Sequence, residues 1–221
     1  MRDGRTTLVA GFTGSGKSAW VISQVQRCNE LLVWDSDHEW SDRRLVEPVY
    51  TIEALKNRIV DHLRRGGRFR VGYAGPIKLR VRRGKKVEVV SLFPAFCRLA
   101  WIWGKAAPGR TVVVEELADV TSPGKAPDEW GQMLRKARKH GLDLYGLTQR
   151  PAESDKTIVS NAALIHSGFM GFPNDRSYMA ECLGVSLEEV EKLKPLDYIE
   201  RDLRTQELRR GRVRFNHAQC A

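Results

Sequence analysis

The segment Gly11-Phe-Thr-Gly14-Ser-Gly16-Lys17-Ser18 fits the pattern G-x-x-x-x-G-K-S without a gap. Its glycines let successive backbone N–H groups curve around a phosphate, along a path that Cβ atoms would obstruct. The lysine supplies a positive charge to the β- and γ-phosphates, and the serine hydroxyl can ligate Mg²⁺. The segment therefore predicts a binding loop for ATP.

The residues on both sides of this loop have the patterns that such a loop requires. A short β-rich run, Thr6–Ala10, ends at the first glycine, and an amphipathic segment over residues 17–28 follows. A helix that begins in the loop adds unpaired N–H groups and a dipole, and both favour an anion. The residues predicted to contact the nucleotide are Gly11, Thr13, Gly14, Ser15, Gly16, Lys17, Ser18 and Ala19.

The remainder of the chain alternates apolar strand-like runs with helical patterns. This alternation predicts an α/β fold with a mostly parallel central sheet, helices on both faces and a C-terminal β-hairpin over residues 198–215. We expect one domain over residues 1–221, with a basic hairpin or insertion near residues 76–90. Further strands are predicted at 31–34, 69–73, 111–114, 142–147 and 163–169, and helices at 51–65, 93–103, 128–140, 175–183 and 187–193.

Two adjacent glutamates, Glu115 and Glu116, follow the β-branched run Thr111–Val114. Ligands of parallel α/β sheets bind outside the carboxyl ends of the strands, where this pair is expected to lie. A nucleotide hydrolase needs one carboxylate near its metal ion and another that orients the attacking water. We therefore assign Glu115, with Ser18, to Mg²⁺ and Glu116 to the water; a simple helix start is the alternative.

A second polar segment, Thr148-Gln149-Arg150-Pro151, follows the next apolar strand. Gln149 is expected one strand away from the phosphate loop, where an amide can sense the γ-phosphate or position water. Pro151 prevents the strand from continuing as a regular ladder. An ordinary turn that ends a strand would explain the same tetrapeptide.

The charge of the chain favours a polyanionic partner. The formal net charge is +10, and residues 64–87 contain many Arg and Lys but neither Asp nor Glu. A solvated basic face is the alternative, although a second basic cluster at residues 201–214 adds to the excess. The candidates for contacts with the phosphates of such a partner are Lys78, Arg80, Arg82, Arg83, Lys85 and Lys86.

Two function classes find no support in the sequence. The four cysteines are isolated, without the Cys/His spacing of a zinc site. No apolar run reaches the roughly 18 residues that a membrane-spanning helix needs.

Taken in order, these motifs resemble the FtsK/HerA superfamily of P-loop ATPases. Within it, the chain looks most like the genome-packaging ATPases of tailless, internal-membrane bacteriophages. The most specific part is residues 136–151, where an R-x-x-G run leads into a strand that ends in T-Q-R-P. The acidic turn over residues 35–39 also looks like the family's second-strand motif. Glu115 stands where most members carry Asp.

The resemblance implies a RecA-like core that assembles into a ring, commonly a hexamer, and passes double-stranded DNA through its pore. It further implies capsid or portal-vertex proteins as partners, and a location in the host cytoplasm or at a virion vertex. In related rings an arginine of one subunit reaches the nucleotide of the next. Arg138 and Arg150 are the candidates for this role, with Arg135 behind them.

Two other function classes remain open at this point. A small-molecule or nucleoside kinase also uses the G-x-x-x-x-G-K-S loop, but the sequence has no obvious arginine-rich lid. The glutamate pair and Gln149 suit attack by water better than transfer to a bound hydroxyl. A nucleotide-gated DNA-binding or assembly protein with an inactive glutamate pair is the non-enzymatic alternative.

Overall fold

The structure is a computed structural model that describes residues 2–84, 86–124 and 126–214. The strands in these ranges are β1 (Thr6–Ala10), β2 (Glu30–Trp34), β3 (Glu47–Val49), β4 (Phe69–Tyr73), β5 (Lys78–Arg83), β6 (Lys86–Ser91), β7 (Thr111–Val114), β8 (Asp143–Thr148), β9 (Leu164–Gly168), β10 (Asp197–Asp202) and β11 (Leu208–Arg212). The α-helices are α1 (Lys17–Val25), α2 (Glu39–Asp42), α3 (Ile52–Arg65), α4 (Phe93–Gly104), α5 (Leu117–Val120), α6 (Asp128–Lys136), α7 (Thr157–Asn161), α8 (Pro173–Leu183) and α9 (Leu187–Glu191).

Nine of the strands form one sheet in the order β11-β10-β9-β1-β8-β7-β2-β4-β3. All neighbours from β9 to β3 are parallel, whereas β10 runs antiparallel to both β9 and β11. The predicted α/β class, the mostly parallel sheet and the C-terminal hairpin are confirmed. Within the described residues, strands β5 and β6 pair only with each other, in a separate two-stranded sheet.

Successive residues of the central strands face opposite sides of the sheet, as the two-residue period of a strand requires. In β1, Leu8 and Ala10 belong to the larger hydrophobic core, whereas Val9 belongs to the core under α1. Both sides are therefore covered by helices. This explains why β7 is a continuous run of buried residues without alternating polar ones.

The far end of α1 is held by a half-buried arginine of β4. The Arg70 guanidinium donates to the carbonyls of Val25 and Cys28 at 3.1 and 2.7 Å, and its Nε donates to the Leu45 carbonyl at 2.9 Å. A cation satisfies carbonyl groups that the last turn of a helix leaves without an intrahelical partner. This contact fixes α1, and with it the loop at its other end, against the sheet.

The helix predicted over residues 128–140 is shorter in the structure. Helix α6 ends at Lys136, and Ala137–His140 forms a 3₁₀ turn. Gly141 follows with φ 65°, a left-handed conformation that ends helices, and the last turn tightens before it. The helical segment predicted over residues 17–28 is also shorter, because α1 ends at Val25.

Several short elements carried no usable sequence signal. Strand β3 has three residues and lies at the edge of the sheet, where Pro48 is tolerated. Helices α2 and α5 have four residues each, too few to show a helical period. None of the helices in the described ranges has the length and hydrophobicity needed to cross a bilayer.

A buried histidine lies between β9 and the C-terminal hairpin. His166 stacks on Trp20 at 4.2 Å between ring centroids, and its Nδ1 lies 2.9 Å from Oε1 of Glu200. Its Nε2 is buried without a partner among the described residues, so a charged ring would bury an unpaired N–H group. Burial lowers the pKa of His166 below 6.5, although Glu200 opposes this shift. The ring is therefore neutral near pH 7.

This environment predicts that the stability of the fold depends on pH, and that His166→Gln reduces this dependence. Below about pH 6.5 the unfolded chain binds a proton that the folded chain excludes. The contribution of His166 is therefore complete above pH 6.5 and declines as the pH falls further. In urea unfolding, the free energy of unfolding of wild type should fall by up to about 1.4 kcal/mol per pH unit more than that of His166→Gln between pH 6.5 and 5.5. Parallel pH curves for the two proteins would contradict a neutral buried ring.

Candidate active site

The loop between β1 and α1 is shaped to receive an anion. Gly14 and Gly16 have φ values of 77° and 89°, which side chains other than glycine rarely adopt. The first N–H of α1 with a partner inside the helix is that of Trp20, which donates to the Gly16 carbonyl at 2.9 Å. No side chain caps this helix start, so the N–H groups of residues 17–19 have no acceptor within the helix.

Neighbouring strands hold the loop in place from both sides. The N–H of Gly11 donates to the Thr148 carbonyl of β8 at 3.1 Å, and the N–H of Phe12 donates to the Phe169 carbonyl after β9 at 2.8 Å. The hydroxyl of Ser15 is buried without a partner among the described residues. The loop is therefore anchored to both neighbouring strands by its backbone.

The second glutamate of the predicted pair lies directly against the loop lysine. Lys17 Nζ is 3.0 Å from Oε1 of Glu116, and the two side chains are only 12% and 13% exposed. Glu116 adopts φ 44° and ψ 64°, a left-handed conformation that is uncommon outside glycine. Such backbone conformations concentrate at functional sites, where the surrounding structure imposes them.

Gln149 connects this glutamate to the phosphate loop. Its backbone N–H and its Nε2 donate to Glu116 Oε2 and Oε1 at 3.3 and 2.9 Å. Its Oε1 accepts a 2.7 Å hydrogen bond from the Thr13 hydroxyl. The structure thus brings Lys17, Glu116, Gln149 and Thr13 into one hydrogen-bonded network. We call these four residues the catalytic network.

The first glutamate of the pair has a different environment. Glu115 is buried, and its Oε1 accepts a 2.7 Å hydrogen bond from the indole Nε1 of Trp40 in α2. Burial raises the pKa of Glu115 to about 8, against the opposing effect of the Trp40 hydrogen bond. Without a bound cation this carboxyl is therefore mostly protonated at neutral pH.

The acidic turn after β2 contributes residues that the sequence did not single out. Asp35 has a structural role, since its carboxylate accepts from the backbone N–H groups of Trp40 and Ser41 at 3.1 and 2.9 Å. Asp37 instead lines the same cleft as the phosphate loop. Burial, and then the charge of Glu116, raise the pKa of Asp37. In the sequence, the cluster of acidic residues over 35–39 was the only indication that this turn contributes to the cleft.

These parts surround a single cleft of about 300 Å³ at the carboxyl edge of the sheet. Its polar lining combines backbone donors, one lysine and carboxylates, the set that a metal–triphosphate requires. The residues that line it are Phe12, Thr13, Gly14, Gly16, Lys17, Ser18, Ala19, Asp37, Glu39, Arg43, Glu115, Glu116 and Gln149.

Comparison with known proteins agrees with this geometry. Protein P9 of Pseudoalteromonas phage PM2 is 35% identical over 189 residues, which cover 85% of this chain and 78% of P9. The chain belongs to the P9 family. It is a P-loop ATPase of the FtsK/HerA class. No model of a protein family matches the chain.

Solved structures share the fold of this P9-family ATPase. One is the genome packaging NTPase B204 of Sulfolobus turreted icosahedral virus 2 in complex with AMPPCP, with a TM-score of 0.71 and 16% identity, covering 96% of this chain and 98% of B204. VirB4 of Thermoanaerobacter pseudethanolicus gives a TM-score of 0.59 and 11% identity over 98% and 91% of the two chains.

The three arginines that are candidates for reaching a neighbouring nucleotide in this P9-family ATPase lie at two ends of the molecule. Arg150 pairs with Asp175 at 3.0 Å and with Glu153, and its guanidinium lies 4.3 Å from the ring centroid of Phe172. Phe172 in turn contacts Phe12 of the phosphate loop edge-on at 5.8 Å. Arg150 is therefore on the nucleotide side of its own subunit.

Arg138 and Arg135 are at the opposite edge of the sheet. The Arg138 carbonyl accepts from the N–H of Gly4, which precedes β1, and the Arg138 side chain is 65% exposed. Both arginines line a separate cleft with Lys139 and Arg204. The structure does not bring these arginines to the catalytic network of their own subunit.

The predicted DNA contacts lie on the hairpin formed by β5 and β6. Their cross-strand pairs run from Lys78 opposite Ser91 to Arg83 opposite Lys86. Four of the six predicted residues are exposed: Lys78, Arg80, Arg82 and Lys86. Arg83 lies at the end of β5, and Lys85 lies outside the described residues.

The environment of Glu115 predicts that Glu115→Gln flattens the pH dependence of stability. The folded chain keeps its proton to about pH 8, whereas an exposed glutamate releases it near 4.5. Glu115 therefore stabilises the fold fully below pH 4.5, and this contribution is lost as the pH rises towards 8. The measurement is urea unfolding without nucleotide and with a metal chelator. Between pH 5.5 and 7.5, the free energy of unfolding of wild type should fall by up to about 1.4 kcal/mol per pH unit more than that of Glu115→Gln.

The matched control is Glu53→Gln, which changes an exposed glutamate of α3. Its pH curve should follow that of wild type. Equal slopes for wild type and Glu115→Gln would show that the buried carboxyl ionises normally.

Proposed function

We propose that this protein is an ATP-driven motor that translocates double-stranded DNA, packaging a viral genome into a procapsid. The observation that carries the proposal is the catalytic network, which joins Lys17 of the phosphate loop to a carboxylate and an amide suited to activating water. The relatives support the biological setting, since B204 is described as a genome packaging NTPase and was solved with the ATP analogue AMPPCP.

The residues of the chain have separate tasks in hydrolysis. The N–H groups at the start of α1 bind the phosphates, and Lys17 leaves its ion pair to neutralise charge on the β- and γ-phosphates. Glu116 accepts a proton from the attacking water, while the oxygen of that water bonds to the γ-phosphorus. The bond between this phosphorus and the β-phosphate oxygen breaks, which releases ADP and phosphate. Gln149 orients the water through its side-chain amide.

The same cleft has the donors that a magnesium ion prefers. Ser18 and Glu115 both line it and offer oxygen ligands, the kind that Mg²⁺ selects. When bound there, Mg²⁺ would neutralise phosphate charge. A cation at this position would also favour the ionised form of Glu115, offsetting the effect of its burial.

Assembly into a ring homo-oligomer, commonly a hexamer in related motors, belongs to the same proposal. An arginine that acts on a neighbouring subunit must be exposed and need not be near its own nucleotide. Arg138 meets both conditions, since its only ion pair among the described residues is an exposed one with Asp3 at 3.8 Å. Arg150 instead pairs with the buried Asp175 and lies against Phe172. Arg138 is therefore the stronger candidate for the residue that reaches the next nucleotide. Capsid or portal-vertex proteins are the further partners, and the host cytoplasm or the virion vertex is the proposed location.

The basic hairpin is the proposed site of contact with DNA phosphates. Among the described residues, no carboxylate lies within ion-pairing distance of Arg80 or Arg82, so their charges are available to a polyanion. The root of the hairpin lies near the catalytic network. Burial, and then the charges of Glu116 and Asp37, raise the pKa of Asp119, and the positive charge of Lys78 opposes this shift. The backbone N–H of Asp119 donates to the Glu116 carbonyl at 3.0 Å. This proximity supports stimulation of ATP hydrolysis by bound DNA.

Two substitutions separate nucleotide binding from hydrolysis. Lys17→Ala should lose both ATP binding and turnover with its melting temperature largely retained, since the side chain faces the cleft. Glu116→Gln should still bind ATP but lose at least about 100-fold in turnover, because the amide cannot accept the proton of water. Phosphate release without any added acceptor measures turnover and separates an ATPase from a kinase. Glu53→Gln serves as the surface control, and wild-type turnover in Glu116→Gln would refute the assigned base.

Removing two hairpin charges should weaken DNA binding in a salt-dependent way. In Arg80→Gln/Arg82→Gln the slope of log affinity against log salt should fall in magnitude by about 2, since each phosphate contact contributes about 0.9. Fluorescence anisotropy with a DNA duplex measures this slope. The control, Arg64→Gln/Arg68→Gln, neutralises two exposed arginines at the end of α3 and after it. An unchanged slope in the hairpin variant, or an equal change in the control, would place the DNA contacts elsewhere.

A further inference from the structure

The hairpin carries exposed apolar residues beside its basic ones. Cross-strand pairing places Arg80 opposite Val89 and Arg82 opposite Val87, so these four side chains lie on one face together with Lys78. We call these five residues the arginine–valine face. It consists of a basic stripe on β5 and an aliphatic stripe on β6.

The aliphatic stripe is exposed to an unusual degree. Val87 and Val89 are 62% and 63% exposed, and no other strand among the described residues pairs with β5 or β6. A two-stranded sheet alone is only marginally stable in water. Adjacent exposed valines on such a ribbon indicate a surface that a partner covers.

The charges on this face select the kind of partner. Arg80 and Arg82 have no carboxylate partner among the described residues. A second copy of the same face would bring arginines against arginines, which electrostatic repulsion disfavours. A nucleic acid instead offers phosphates to the basic stripe and base edges to the aliphatic one.

The dimensions of the ribbon select one groove of the duplex. Its two strands lie about 4.8 Å apart, and alternate residues along a strand lie about 6.6 Å apart. The major groove of B-form DNA is about 12 Å wide and admits a two-stranded β-ribbon, whereas the minor groove is only about 6 Å wide. Thymine methyl groups line the major groove and provide apolar contacts for valine.

We propose that the arginine–valine face inserts into the major groove of double-stranded DNA. Lys78, Arg80 and Arg82 contact the phosphates of one strand, and Val87 and Val89 pack against the base edges. This inference rests on the proposed DNA-translocating function and adds groove contact to it. Phosphate contacts alone are available on single strands also, whereas insertion of the whole face into a groove requires a duplex.

The first test changes the valines and keeps the hairpin. Val87→Thr/Val89→Thr retains two β-branched residues with high strand propensity, so the ribbon should still form. Affinity for a duplex, measured by anisotropy, should fall roughly tenfold through loss of apolar contact, with an unchanged salt slope. Affinity for single-stranded DNA and ATP turnover without DNA should stay at wild-type values. Val87→Ile/Val89→Ile should retain duplex binding.

The matched control changes the opposite face of the same ribbon. Leu79→Thr/Val90→Thr also removes two paired apolar residues, which are 44% and 36% exposed. It should bind duplex as wild type does. Equal losses in the two threonine variants would attribute the effect to the stability of the hairpin and overturn the inference.

The second test blocks the groove on the DNA. Bulky substituents at pyrimidine C5 project into the major groove. A duplex that carries them should bind wild type about tenfold more weakly than the unmodified duplex does. The affinity of Val87→Thr/Val89→Thr should be the same for both duplexes. Equal binding of wild type to the modified and unmodified duplexes would overturn the inference, as would wild-type duplex affinity in the threonine variant. A lower oligomer mass in that variant would identify a second copy as the occupant. Failure of wild type to bind any DNA would overturn the proposed function as well, whereas the other outcomes leave it standing.

Discussion

The ion pair between Lys17 and Glu116 depends on the order of three parallel strands. Strand β1 carries the phosphate loop, β7 carries the glutamates, and β8 lies between them, with Ala10 beside Thr148 and Val114 beside Gly146 in register. Because all three strands end at the same edge, the residues that follow them converge. Gln149 comes from the middle strand and therefore reaches both neighbours. A change in strand order would separate the loop from its carboxylate without altering either motif.

The adjacent glutamates show how one residue of offset changes the chemistry of a side chain. Glu115 continues the line of β7 and enters the interior, where its carboxyl meets the indole of Trp40 and its pKa rises to about 8. Glu116 leaves the strand in a left-handed conformation and turns to Lys17 and Gln149. The left-handed turn is thus what presents the second carboxylate to the cleft. The two glutamates therefore lie in different environments. That of Glu115 favours the neutral carboxyl, whereas that of Glu116 provides a lysine and two N–H donors.

The sequence was sufficient for features set by local pattern. Strands β1, β4 and β7 have the predicted limits, because runs such as Thr111–Val114 are uniformly buried. Contacts between distant segments could not be predicted from the sequence. Trp40 and Glu115 are 75 residues apart, and no local pattern announces their hydrogen bond. The location of Arg138 at the far edge likewise follows from tertiary structure, although its surrounding motif was visible.

The position of the hairpin root gives a physical reason to connect the proposed DNA contact with hydrolysis. Ile77 packs against the larger core, and the Leu92 N–H donates to its carbonyl at 2.9 Å, so the root is fixed while the two strands project. Lys78 begins β5 at this fixed point, and its charge reaches Asp119, whose own N–H is bonded to the Glu116 carbonyl. A phosphate beside Lys78 would offset part of that charge and so alter the electrostatics of the segment that carries Glu116. The cleft lined by Arg135 and Arg138 has no comparable connection, since it lies at the other end of the strands. If the hairpin binds DNA as proposed, its coupling to hydrolysis needs no large movement of the sheet, only a change in the charge around a carboxylate that already contacts Lys17.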